Sequence, residues 1–536
     1  MATAMAMATA MGMAMIRSRS ELIGPGMPAL SRLTQALLFL GASSLAWGQS
    51  EEGDTARRGF SIRPLLSVSG TATDNIGMSG VAKDRALIGV ISPGLVVQSN
   101  NGTLRGSLEY SMDGLVYYRT SQGDRVQHRL QSQATASLFA GRLLIDVRAS
   151  VGQQARSAFA AEQSISPYLS NPNQSQLATL SVAPKLRGTV AGLASYDFSL
   201  TGTESRVKDS MVGDSRSAQA AATIEGLGGA QRMLNWNLAG SVQRTGGNPL
   251  GRRAATDSAL LGLRYQPNPD INLNLQAGKE RSNLVTVDQL ITNTYGLTLG
   301  WTPTERTQVN ADWRRHHYGD SHSLSFSHRM SRSSWRFSDT QSVNTPGAVG
   351  VSERQTNYAL YDSIFSGIEP DPIKRDLQVR AFLLNSGLSA DALANNGFLS
   401  GSTSLSRSQL AALSLLGQLS TVTLTLNQSR TRRLDPFSNV LDDLSDGGSL
   451  RQRSAALSLS HRLSPSTSIS ATASDQRTNS NRSGHASSSK TLLGSWNSRF
   501  TQRLNYTISL RHARFNSDLR SYNENAVTAT LTQQFQ

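Results

Sequence analysis

Along nearly the whole chain, apolar residues occupy every second position in segments of roughly ten residues, with polar turns between them. Leu104, Gly106, Leu108, Tyr110 and Met112 share one parity, while Arg105, Ser107, Glu109, Ser111 and Asp113 share the other. The pattern repeats in Leu143, Ile145, Val147, Ala149 and Val151, then in Leu234, Trp236, Leu238 and Val242. It persists to the end, through Tyr506, Ile508 and Leu510 to Val527, Ala529 and Leu531. A period of two gives each strand one greasy and one polar face. The polar partners are mostly Ser, Thr, Asn, Gln and Arg, residues that suit the wall of a wet lumen. The pattern predicts an all-β fold, a transmembrane antiparallel β-barrel.

A uniform strand repeat over 536 residues argues for one large closed sheet rather than a string of small domains. Mean hydropathy is −0.31, and no run of about 18 uncharged apolar residues occurs, which excludes a helical membrane protein. A barrel can be this polar because only half of each strand meets lipid. Residues 1–48 read as a signal peptide: Arg32 precedes the apolar run Leu33 to Leu45, and Ala46-Trp47-Gly48 supplies small residues before a cleavage at Gln49. Met27 is an alternative start, since a chain beginning there already carries a complete signal. Residues 49–60 form a short periplasmic segment and 61–536 the barrel, which leaves no room for a plug domain or a passenger ahead of it. There is no cysteine, so disulfides and thiolate metal sites are excluded. The net charge is +15 and only six of the basic residues are Lys. An Arg-rich lumen would favour anionic solutes, polymers or phosphate-bearing lipid heads; the plainer alternative is that Arg decorates loops.

Turn chemistry places the ends. Asn101-Gly102, Ala140-Gly141, Gln266 to Asp270, Thr302 to Glu305 and Ser464 to Thr467 read as short turns, and Asp435 to Gly448 and Asp475 to Lys490 as long loops. Tyr265 to Trp301 and Leu463 to Phe500 give a repeat of two strands, one turn and one loop, from which roughly 18 to 22 strands follow. From about 356 to 396 the spacing turns helical: Tyr358, Leu360, Tyr361, Ile364 and Phe365, then Ile373, Leu377, Phe382 and Leu383. Asp371 can cap a helix opened by Pro372, with Gly387 as its stop. This insertion either folds into the lumen as a constriction or forms an external or periplasmic cap; the inward placement is favoured.

Around this insertion the chain resembles a known family. Ile368-Glu369-Pro370-Asp371-Pro372, the stretch Arg375 to Leu384, Asn396-Gly397-Phe398-Leu399-Ser400 and Leu410 to Leu426 look like outer-membrane β-barrel proteins associated with PEP-CTERM/exosortase systems. Such proteins occur in exopolysaccharide-producing Gram-negative bacteria. Ser92-Pro93-Gly94 and Gly106-Ser107-Leu108-Glu109-Tyr110 extend the likeness upstream. The resemblance implies an outer-membrane location and a role beside polysaccharide and surface-protein export, and it carries no catalytic residues.

Nothing in the chain predicts catalysis or a cofactor. His316, His317, His322 and His328 read as exposed loop histidines, because in a strand His316 and His317 would point to opposite faces. No Gly-x-Ser-x-Gly elbow in a strand–helix setting, phosphate-cradling loop or HExxH motif is present. Trp236, Tyr265, Trp301, Trp313, Trp335, Trp496, Phe500 and Phe515 read as interfacial girdles. Phe535 resembles the C-terminal aromatic by which barrel precursors are recognised for assembly. Alternation assigns Arg105, Glu109, Asp113, Asp146, Arg148 and Arg264 to the lumen. The expected role is that of a porin-like barrel in exopolysaccharide export; the alternative is a non-conducting barrel anchoring polysaccharide or sorted surface proteins. Expected partners are outer-membrane lipid, the barrel assembly machinery and an anionic polysaccharide, with no nucleic acid.

Overall fold

The computed structural model describes residues 59–118, 123–160, 173–190, 192–208, 212–227, 233–246, 252–345, 357–365, 375, 379, 383, 398–437, 439–501, 503–518 and 520–535. The signal peptide expected at 1–48 and the caps expected at Asp371, Pro372 and Gly387 lie outside them.

Strands follow one another antiparallel round a ring: β1 (Phe60–Thr73), β2 (Ala86–Asn100), β3 (Leu104–Tyr118), β4 (Arg125–Leu138), β5 (Leu143–Ala155) and β6 (Gln174–Val190). Then come β7 (Ala194–Val207), β8 (Ser215–Gly226), β9 (Leu234–Gly246), β10 (Ala254–Asn268), β11 (Ile271–Ser282) and β12 (Leu290–Thr304). After β13 (Thr307–His316), β14 (Gly319–Arg329) and β15 (Ser333–Asn344) stands one helix, α1 (Asn357–Phe365). The ring continues with β16 (Ser404–Leu416), β17 (Ser420–Arg433), β18 (Ser449–Arg462), β19 (Thr467–Ser480), β20 (Ala486–Arg499), β21 (Leu504–Ser517) and β22 (Ser521–Gln534). β22 pairs back onto β1, with Val68 opposite Leu531 and Thr71 opposite Thr528, so this 22-stranded sheet has no edge. Closure satisfies every ladder group inside the sheet, the condition for crossing hydrocarbon.

Alternation sorts the two faces. Leu238, Leu261, Leu275, Leu297, Leu457, Leu492 and Leu510 point out and are exposed, although they are the greasiest residues of their strands. Such an inverted pattern fits a wall whose solvent is lipid. A run of about four outward apolar positions per strand spans roughly 20 Å at a ~40° tilt, close to a bilayer core. Inward positions carry hydroxyls that bond across strands: Thr71 to Thr528 (2.9 Å), Ser414 to Thr423 (2.8 Å), Ser458 to Thr472 (3.1 Å) and Ser470 to Ser495 (2.7 Å). These ladders explain the high Ser and Thr content of the polar parity.

All the turns expected to be short fall at one end of the barrel. At the β4–β5 turn Phe139 (φ 51°), Ala140 (φ 56°) and Gly141 (φ 82°) are all left-handed, a bend that only glycine adopts without cost. Trp236, Tyr265, Trp301, Trp335, Trp496 and Phe500 lie on the outer face near that same end, with Trp496 edge-on to Tyr506 at 5.3 Å. Phe535 joins them, its N–H donating to the Pro64 carbonyl at 2.8 Å. Trp313 faces outward opposite Leu297, further from this rim.

Three expectations are corrected. Asp475 to Lys490 is not a long loop: Asp475 and Lys490 are paired in β19 and β20, and only 481–485 connects them. Strands continue above the bilayer, where outward residues no longer need to be apolar and the alternation vanishes. Phe515 is no girdle residue; it points inward and packs on Met78 and Tyr522. The histidines are not in exposed loops either. His316 ends β13 and His322 and His328 lie on β14, while His316 and His317 are both buried against Glu280, at 2.5 and 3.5 Å.

Candidate functional site

The lumen is the one place where the fold converges polar side chains from every strand. Arg105, Glu109 and Asp113 share the inward parity of β3, Asp146 and Arg148 that of β5, and Arg264 that of β10. They form no single cluster, because β3, β5 and β10 are separated by other strands. Asp113 is fully buried against Arg129 at 3.0 Å. Asp146 accepts a bond from Thr135 Oγ1 (2.6 Å) and pairs with Lys185 (3.0 Å). Arg264 reaches over β9 to grip Glu225 with both terminal nitrogens, at 3.1 and 2.8 Å. Glu524 is held by Arg511 at 2.5 Å and by Thr73 at 2.9 Å, beside the seam where the ring closes.

Asp113, Asp146, Glu225 and Glu524 are thus matched, whereas Asp197, which faces Arg187 across β6 and β7, Asp312 and many inward cations have no ion pair among the described residues. Among the described residues Arg63, Arg105, Arg148, Arg187, Arg314 and Arg336 have no ion-paired carboxylate; Arg63 and Arg314 donate instead to Gln98 and Gln276. A low-dielectric wall focuses the field of such residual charges into the lumen. The alternation rule that found Arg105 and Arg148 also reaches Arg187, Arg314 and Arg336, so that signal was present in the sequence.

Two structures occupy this lumen, one at mid-wall and one at its loop side. The helix α1 lies against the inner face of β16: Leu360, Tyr361 and Phe365 are buried with Leu410 and Ala412, together with Val379 and Leu383. Leu410 and Ala412 share the inward parity of β16, so α1, Val379 and Leu383 pack on the inner face of the wall. Arg375 Nε donates to Asp362 of α1 at 2.8 Å.

Above it, segments from opposite walls meet. β5 and β18 are far apart in the ring, yet Phe159, just after β5, packs with Phe398, Leu444 and Leu450. The Leu399 N–H donates to the Ala155 carbonyl at 2.9 Å, and the Ala158 N–H to Asp443 at 2.6 Å. Ser400 and Ser402 both donate to Asp442, at 2.7 and 3.0 Å. Arg252, from the β9–β10 side, stands 3.7 Å from Asp435 and 5.5 Å from the Phe437 ring centre. Residues 156–160, 398–403 and 434–448 therefore form a cover joined from several sides of the mouth. Burial pushes the Asp443 carboxyl above the usual carboxylate range and the Asp442 charge adds to this, against hydrogen bonds from Ala158 and Ser157. Among the described residues no group of His, Asp and Glu is arranged to hold a metal ion.

A closed antiparallel barrel with an apolar outer belt, an aromatic rim and a hydrated inner wall is a protein of the bacterial outer membrane. No protein-family model and no curated protein matches the chain. Among solved structures it is similar to the FrpB iron transporter from Neisseria meningitidis, at 9% identity over 89% of this chain and 83% of that one (TM-score 0.46). It is similar also to the siderophore receptor PirA from Acinetobacter baumannii (7% identity, 88% and 80% covered, TM-score 0.42). The outer membrane protein opdK from Pseudomonas aeruginosa matches at 9% identity over 89% and 98% of the two chains (TM-score 0.33).

Proposed function

We propose that this barrel is a porin-like conduit for an anionic extracellular polysaccharide, held shut at rest by α1 and the loop cover. The observation that carries the reading is the charge balance of the inner wall. Asp113, Asp146, Glu225 and Glu524 each hold a cation, while Arg105, Arg148, Arg187, Arg314 and Arg336 remain without an ion-paired carboxylate among the described residues, so a polyanion lowers the energy of the wall it passes. The likeness of 368–426 to barrels of PEP-CTERM/exosortase systems supports the choice of polysaccharide and a place beside surface-protein sorting. No step of chemistry is required, and the protein acts by passive conduction rather than as an enzyme.

The test is current block in planar bilayers holding the refolded protein. Uronate oligomers should enter and block at concentrations at least tenfold lower than neutral glucose oligomers of the same length. Equal block by both would remove the charge argument. A second reading, a non-conducting anchor for polysaccharide or sorted proteins, is favoured by the bonds that join opposite walls across the mouth; it requires no current under any condition.

A further inference from the structure

We propose that the outer wall of β17–β21, immediately above the lipid-facing belt on the loop side, binds the phosphorylated head group of an outer-leaflet lipid. Outward positions on these strands run apolar from the short-turn end, as in Val422, Leu424 and Leu426 on β17 or Leu459 and Leu457 on β18. One pleat further on β20, and two pleats further on β17, β18 and β21 after Gln428, Ala455 and His512, they change to cations. Arg430, Arg432, Arg451, Arg453, Lys490 and Arg514 keep the outward parity of Leu426, Leu457, Leu492 and Leu510, and all six are exposed.

Register sets these charges against one another. Arg430 is directly opposite Arg451, Arg453 opposite Arg477, and Lys490 opposite Arg514. Like charges directly across an antiparallel pair destabilise it. None of the six is ion-paired to a carboxylate among the described residues: Asp475, which faces Lys490 across β19 and β20, pairs with Arg477 at 3.2 Å, and Arg453 donates to the neutral Gln428.

Elsewhere on the ring most outward cations of the same level are matched, Lys279 and Arg281 on β11 being the exceptions. Arg206 and Arg216 share Glu204, Arg244 holds Asp257, Arg315 holds Asp320 and Arg407 holds Asp339. The unmatched sector therefore fits an anion supplied from outside the chain. Its position names the source: the cations begin where lipid-facing leucines end, at the depth of the head groups. Guanidinium forks bind phosphate oxygens in pairs, and with strands ~4.8 Å apart one phosphate can bridge arginines of two neighbours.

The experiment is native mass spectrometry of the folded full chain in detergent, titrated with diphosphoryl lipid A or with the same lipid freed of phosphate. The phosphorylated lipid should bind at least tenfold more tightly, and added salt should weaken it. The belt variant Arg451→Gln, Arg453→Gln, Lys490→Gln should lose about tenfold, whereas the matched-sector variant Arg216→Gln, Arg244→Gln should bind like the parent. Heat-modifiable gel mobility checks that both fold. Equal binding of the two lipids, or equal loss in the two variants, overturns the proposal; the lipid comparison on the parent protein decides even where the belt variant does not fold. Competition by inorganic phosphate or by a uronate oligomer as strong as by lipid A would also overturn it, pointing to a free anion or a polysaccharide surface.

Discussion

Arg511 and Glu524 are both nearly excluded from solvent, and Glu524 also takes the Thr73 hydroxyl across the closing seam. Removing one partner of such a pair leaves a buried charge, so Arg511→Met should cost about 3 kcal/mol and lower the urea midpoint of unfolding from bilayers, while Arg477→Met, on an exposed pair, should cost under about 1 kcal/mol. The unpaired lumen cations should set selectivity instead of stability. Arg105→Glu with Arg148→Glu should shift the zero-current potential in a salt gradient toward cation preference without moving that midpoint; an unchanged potential would mean that these side chains do not border the ion path. Parity alone assigns Arg105, Glu109, Asp113, Asp146, Arg148 and Arg264 to inward positions. It could not tell which would be neutralised, because Arg129, Lys185 and Glu225 lie one or two strands away, in a register that is invisible in one chain. Phe515 was misread for a related reason: near the loop end, Arg511, Ala513 and Phe515 carry no apolar alternation to show which face is wet.

Among the elements, α1 was legible from its helical spacing, since Leu360, Tyr361 and Phe365 fall on one stripe. That stripe meets Leu410 and Ala412, so Leu360→Ala should cost about 2 to 4 kcal/mol of local packing and loosen the insertion, seen as faster amide exchange in 357–365 and noisier current. The cover was not legible. Ala158 and Asp443 are 285 residues apart, and Arg252 and Asp435 are on loops with no shared pattern. Its pH dependence follows from Asp443. A carboxyl with its pKa raised in the closed cover favours that form at acid pH; the stabilisation is complete below about pH 4, the ordinary carboxylate value, and is lost as pH rises through the raised one. Opening frequency should therefore increase from acid toward neutral pH, and Asp443→Asn should flatten the dependence. A profile unchanged by that substitution would assign the pH response to other groups.

For the whole molecule, a ring of strands with a belt of roughly 20 Å is dictated by the alternation, and the even number of strands follows from termini that meet at the short-turn end. The long connections carry the specificity: one holds α1 against the wall, and another crosses the mouth. In the proposed conduit they are the two elements that make conduction conditional. Single-channel recording of the refolded protein, with and without residues 356–396, tests this most directly. A full-length protein that is silent or opens rarely, and that gives large anion-preferring steps once the insertion is removed, is the expected result. Silence of both proteins, with folding confirmed by heat-modifiable mobility, would contradict a conduit and leave the barrel as an anchor.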